Sequence, residues 1–288
     1  MKEVVALQAV PVLDCANRHG EGILWNPADR RVWWTDIHGH GLWWFRPDDG
    51  LSGRVALPGR LCAFAPRAQG GWIMAFSDGV ELWSADFRCE SRIHAFEPGN
   101  PHTRLNDGRT DRDGRFVVGG MNEGTGAFDS SVIRVHADRS VEVLFGGVSC
   151  ANSICFSPDG ATMFFADSPR RRIDAIAYDE QAARRLFVEM PGIPDGSCVD
   201  AEGGLWNAVW EGAAVMRFDA QGRATHRIDL PVRRATCCAF GGDDLATLYI
   251  TTSQLGADAA ERAETPLAGA LFAARPGLAG LADRPFAG

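Results

Sequence analysis

The sequence repeats itself, and the length of the repeat decides what it can fold into. Bulky apolar pairs stand at Trp33-Trp34, Trp72-Ile73, Phe116-Val117, Met163-Phe164, Leu205-Trp206 and Leu248-Tyr249, at successive steps of 39, 44, 47, 42 and 43 residues. Six units of this length match the four-stranded blade of a β-propeller, whose period is about 40 to 50 residues. Between the pairs run short β-rich segments broken by Gly, Pro, Asp and Asn, with almost no helical periodicity. The spacing therefore predicts an all-β chain folded as one six-bladed β-propeller over residues 1–288.

Third strands line up in the same register: Gly41 to Pro47, Gly79 to Asp86, Ser131 to Ala137, Ile173 to Asp179, Ala213 to Asp219 and Gly269 to Ala274. Fourth strands follow in the first five units. The sixth lacks one, and the chain continues there into a Gly/Pro/Ala tail. The apolar run Val4 to Val12 is expected to supply it. An N-terminal strand closing the last blade would hide the edge that an open ring leaves bare. Gln254 to Pro266 breaks the repeat and reads as a surface loop with a helical turn.

Composition narrows the function classes. With 45% hydrophobic residues the chain can bury a large core, and a formal charge of −8 argues against nucleic acid as a partner. The cluster Arg170, Arg171, Arg172 reads as a solvated hairpin. Eight cysteines form no CxxC pair, so they are expected as buried, inert thiols of a reducing compartment. The N-terminal run lacks a signal-peptide pattern, and no apolar stretch reaches the roughly 18 residues of a membrane span. A cytoplasmic protein, monomer or weak dimer, is expected.

The repeat also brings chemistry together. Glu21 lies 12 residues before Trp33, Asn106 lies 10 before Phe116, Asn152 lies 11 before Met163, and Asp195 lies 10 before Leu205. Matched offsets in a propeller mean matched heights around the axis, so these four side chains should meet at one mouth of the channel. The other two blades carry Cys62 and, around Thr236, Cys237, which makes their sectors less polar. Two carboxylates with amide oxygens suit a hard divalent cation, Ca²⁺ first, with Mg²⁺, Mn²⁺, Fe²⁺ and Zn²⁺ as alternatives. Without a cation, Glu21 and Asp195 would repel one another at high desolvation cost. The plainer alternative is that each residue only caps a turn.

Asp36, His38, His40, Glu123, Asp167 and Trp210 fall on loops that return to the same mouth and are candidates for its rim. His38-Gly39-His40 is read as surface rather than as a zinc site. His19 is placed near the site without a role. Trp25, Trp33, Trp34, Trp43 and Trp44 are read as packing between blades. Neither a nucleophile elbow nor a phosphate-binding glycine loop occurs.

Four ordered motifs carry a resemblance that spans the chain. Gly20-Glu21-Gly22 with Leu24-Trp25, Arg104-Leu105-Asn106-Asp107-Gly108, Asn152-Ser153-Ile154 before Ser157-Pro158-Asp159-Gly160, and Pro194-Asp195-Gly196 together resemble the regucalcin/gluconolactonase family. That resemblance implies a propeller that hydrolyses aldonolactones with one divalent metal. It implies metal ligands at Glu21, Asn152 and Asp195, and sugar contacts from Arg104 and Asn106. Family members also place a substrate-contacting Glu after a Gly-x-Met segment, here Gly119-Gly120-Met121. Strict counting falls on Gly124, so Glu123, one residue earlier, is kept as the rim residue. The Pro266-Leu267-Ala268-Gly269 approach to the last strand resembles bacterial pentonolactonases and hexonolactonases.

The mechanism expected is metal-assisted hydrolysis of a small sugar lactone, with Asp195 as the proton acceptor. Two rivals remain open at the level of sequence: a phosphotriesterase-like metal hydrolase on the same scaffold, and a non-enzymatic calcium-binding or interaction propeller.

Overall fold

The bulky pairs sit in strands that are buried on both faces, and each pair serves two neighbours. In a strand, successive side chains point to opposite faces. Accordingly Met163 and Phe165 pack towards the third blade, whereas Phe164 and Ala166 pack towards the fifth. Trp33 faces the second blade, whereas Val32 and Trp34 face the sixth. The same division holds around the ring. The core is six apolar layers, one in each seam between blades. The expected Trp packing is found there: the rings of Trp33 and Trp72 meet across a seam at 5.0 Å.

The structure is a computed structural model that describes residues 4–179 and 183–288. Among the described residues six sheets, antiparallel but for one edge pair, radiate from a central channel. Their innermost strands are Gly20–Asn26, Leu61–Pro66, Thr103–Thr110, Ala151–Phe156, Ile193–Val199 and Ala235–Gly241. Each inner strand packs on the next, and the sixth packs on the first, which closes the ring. The third-strand spans expected from the repeat agree with the structure to within three residues at either end.

Closure of the last blade is more elaborate than the expectation. The N-terminal run divides at Ala9. Val10–Leu13 pairs antiparallel with Leu271–Ala274 and is the fourth strand of blade six. Val5–Gln8 instead lies parallel on Ala224–Asp229 as a fifth strand of blade five. Pro11, which cannot donate to a ladder, sits on this outermost strand, where that loss is tolerated. One segment therefore stitches two blades.

The 275–288 tail, to which the repeat assigns no place, crosses the channel at the ends of the inner strands. Its backbone bonds Ala201 and Leu245 of blades five and six at one side, and Pro66, Ala68 and Gly114 of blades two and three at the other. Asp283 pairs with Arg109 inside the channel at 2.8 Å, and Phe286 is fully buried in the seam between blades two and three.

Gln254 to Pro266 does contain a helix, Ala259–Glu264, capped by Asp258 accepting from the Glu261 amide. All eight cysteines are free. Cys89 is exposed, which corrects the expectation of uniformly buried thiols: it lies on the outermost strand of its blade, where one face meets solvent. Among the described residues no helix is long and apolar enough to cross a membrane.

Candidate active site

Every inner strand breaks its pairing near its start. The register slips between Glu21 and Leu24, Leu61 and Ala63, Leu105 and Gly108, Asn152 and Cys155, Pro194 and Ser197, and Ala235 and Cys238. A bulge frees residues from the strict alternation of a strand and re-aims them. Here it happens six times at one height. Glu21, Cys62, Asn106, Asn152, Asp195 and Thr236 all stand at these slips. Gly22 takes the turn at φ +55°, a left-handed conformation that favours glycine. Gly196 is required for another reason: a Cβ there would lie 2.9 Å from the Cys237 Cα and closer still to its side chain.

The structure brings Glu21, Asn106, Asn152 and Asp195 into one cavity of about 220 Å³, with Arg104, His19, Trp210, Met121, Cys150 and Leu255 in its walls. Cys62 and Thr236 take no share of it. The Thr236 hydroxyl is turned to the Gly20 carbonyl, and Cys62 lies against Arg104.

Glu21 and Asp195 are 7% and 5% exposed, and both line the cavity. Burial, reinforced by the negative charge of Asp107, pushes Glu21 up to about 8. Burial and the facing Glu21 push Asp195 well above the carboxylate range. Two acids held this way need either a proton or a cation between them. Asp107 stands just below, its own carboxyl pushed up to about 6 by burial and bonded to the Ile154 amide at 2.8 Å.

The amide of Asn152 is oriented by a relay. Its Nδ2 donates to Ser168 Oγ at 2.8 Å, and that hydroxyl donates to the Pro194 carbonyl at 2.7 Å. Oδ1 is thereby left towards the cavity, with only a long 3.4 Å contact from Asn106 Nδ2. Asp195 is buttressed from behind: its carbonyl accepts from Ser153 Oγ and Asn207 Nδ2, both at 2.8 Å. Among the described residues no three His, Cys, Asp or Glu form a metal-holding group. The third donor here is instead an amide oxygen. Two acids and an amide at a common height fit a hard divalent cation.

Arg104, 4% exposed, spends Nη1 on the Leu105 carbonyl and Asn106 Oδ1, both at 2.8 Å, and Nε on Glu123 at 2.7 Å. Glu123 stands outside the cavity wall, and both its oxygens also meet Arg60 at 2.8 and 3.1 Å. Among the described residues Arg104 Nη2 has no hydrogen-bond partner, which leaves it available to a ligand.

Two rim candidates are corrected. Asp36 accepts the amides of Arg18, His19 and Gly39, and Asp167 accepts those of Ser149 and Cys150. These buried carboxylates fasten blade turns, Asp167 also pairing with Arg170 at 3.1 Å, and neither lines the cavity. Of the remaining rim candidates, Trp210 lines the cavity and His38 lies 5.6 Å from the ring of His19. His40 is exposed. Sequence reasoning missed Ser168, Cys150 and Leu255, which have no counterpart in the repeat, and left His19 without a role.

Fold and site together define a six-bladed propeller with an acid and amide donor set at one mouth of its channel. The chain belongs to the SMP-30/Gluconolactonase/LRE-like family, whose pattern matches residues 19–254. It is 36% identical over 276 residues to a 6-deoxy-6-sulfogluconolactonase of Pseudomonas putida, covering 93% of this chain and 95% of that one. It is 38% identical to an L-arabinolactonase of Azospirillum brasilense, covering 98% and 96%. A crystal structure described as a calcium-binding protein, regucalcin, of Agrobacterium tumefaciens superimposes with a TM-score of 0.93 at 28% identity, covering 99% of both chains.

Proposed function

We propose that this chain hydrolyses a sugar lactone to its aldonic acid, with Glu21, Asn152 and Asp195 holding one divalent cation. The observation that carries the reading is the pair of buried acids lining one cavity beside an oriented amide oxygen. Relatives named as sulfogluconolactonase and arabinolactonase support a pentono- or hexonolactone as substrate. The regucalcin neighbour, described as calcium-binding, supports Ca²⁺ as the first candidate.

A divalent cation bound there supplies Lewis-acid polarisation of the lactone carbonyl. The chain's own residues do the rest. Asp195, ionised, takes a proton from the water whose oxygen attacks the carbonyl carbon. As the ring C–O bond breaks, it returns a proton to the departing ring oxygen. Arg104 Nη2 and the Asn106 amide hold ring hydroxyls, so the carbonyl is presented in one orientation. Glu123 keeps the Arg104 guanidinium in place. Apolar walls at Met121, Trp210 and Leu255 limit water, which strengthens each of these polar contacts.

The test is a panel of aldonolactones, assayed by proton release with the chelated protein re-supplied with one metal at a time. Turnover of at least one lactone is expected, with Asp195→Ala reducing it by about 10³-fold. Near wild-type hydrolysis by Asp195→Ala would remove Asp195 from the chemistry.

A further inference from the structure

The reading above gives His19, which stands in the cavity wall, nothing to do. His19 is 8% exposed, lines the cavity, and packs against the edge of Trp210 at 5.7 Å. Its Nδ1 lies 2.9 Å from Ser253 Oγ. The environment of that hydroxyl fixes the tautomer. Ser253 Oγ also accepts the Leu255 amide at 2.9 Å and lies 3.0 Å from the Arg18 carbonyl, which can only accept. A hydroxyl has one hydrogen and two lone pairs. All three contacts are satisfied only when Ser253 donates to Arg18 and His19 Nδ1–H donates to Ser253. The ring then carries its free lone pair on Nε2.

We infer that His19 is a specificity-determining residue, whose Nε2 accepts a hydrogen bond from one hydroxyl of the bound sugar. The donors in the cavity are Arg104 Nη2 and, beyond its 2.9 Å bond to the Ala151 carbonyl, Asn106 Nδ2, and both suit hydroxyl or ring oxygens as acceptors. A polyol also brings hydroxyl hydrogens, and these need acceptors that are not committed to a cation. Glu21 and Asp195 are so committed in the proposed reading, on which this inference rests. The ring is held from three sides: the His19 amide bonds Asp36 Oδ1 at 2.9 Å, the imidazole bonds Ser253, and its face meets Trp210. A preorganised acceptor of this kind discriminates against a ligand that lacks the hydroxyl, because its lone pair is then left unpaired.

The experiment compares a parent aldonolactone with its monodeoxy analogues, by turnover and, separately, by calorimetric binding of the corresponding aldonates. The wild type is expected to favour the parent over one analogue by about tenfold. His19→Leu is expected to erase that preference by weakening only the parent, mainly in KM, and His19→Gln, which keeps an acceptor, to restore part of it. Survival of the wild-type preference in His19→Leu would overturn the inference. So would a wild type indifferent to every deoxy analogue, a result that needs no variant to fold. If no lactone is turned over but the binding preference collapses in His19→Leu, the hydrolytic reading fails and the role of His19 stands.

Discussion

Glu21 and Asp195 are carried by the first and fifth blades, yet both are buried in the wall of one cavity at the channel mouth. Neither is tied down by a long side-chain network; each stands at a strand bulge, and the ring of blades brings the bulges together.

Burial of Glu21 beside Asp107 sets a pH dependence. Glu21 ionises near 4.5 when unperturbed and is pushed up to about 8 by burial in the folded protein. Between those values the folded chain holds a proton that the unfolded chain has released, so raising the pH favours unfolding. The melting temperature of the chelated protein should fall from about pH 5 to about pH 8. Glu21→Gln should flatten that slope and raise the melting temperature at the alkaline end. A flat profile in the chelated wild type contradicts a Glu21 carboxyl held buried and protonated.

The Ser168 relay should matter to the cation more than to the fold. Ser168→Ala frees the Asn152 amide to turn, and loss of such an orienting partner costs about 10- to 100-fold in metal affinity. The direct loss in stability is about 1 kcal/mol. Calorimetric titration of Ca²⁺ into the variant, beside its urea unfolding curve, separates the two effects. Unchanged affinity would show that the relay does not orient the ligand.

Glu123 is expected to act through Arg104. In Glu123→Ala the charge-assisted bond to Nε at 2.7 Å is lost and the guanidinium is held only through Nη1. KM should rise about tenfold while kcat changes little, since the reacting centre is untouched. A fall confined to kcat would instead place Glu123 at the reacting atoms.

The tail that crosses the far end of the channel should be a stability element. Phe286→Ala removes a fully buried ring and should cost about 3–5 kcal/mol, read from urea unfolding. The activity of the folded fraction should stay near wild type, because Phe286 lies at the end of the channel opposite the cavity.

The propeller was readable because its strands are buried on both faces: pairs such as Met163-Phe164 must be bulky on both sides, and that leaves a strong mark at a fixed period. The four polar positions were readable for the same reason, since bulges recur at one height in every blade. The tail was not, because Gly, Pro and Ala carry no period, and its anchors, Asp283 and Phe286, are single residues. The division of the N-terminal run at Ala9 was equally hidden: Val5–Gln8 and Val10–Leu13 have similar β character, and only the partner strands differ. Asp36 and Asp167 were misread because a carboxylate facing backbone amides and one facing a ligand look identical in sequence. His19 was placed near the site but its role was hidden, because its tautomer depends on a serine 234 residues away.

Metal stoichiometry measured together with lactone turnover bears most directly on the site. The chelated wild type should regain hydrolysis in proportion to one divalent ion bound per chain, and Glu21→Gln and Asp195→Asn should bind far more weakly and stay inactive. Full hydrolysis by the chelated protein, or undiminished ion binding in both variants, would contradict a site built from these two acids.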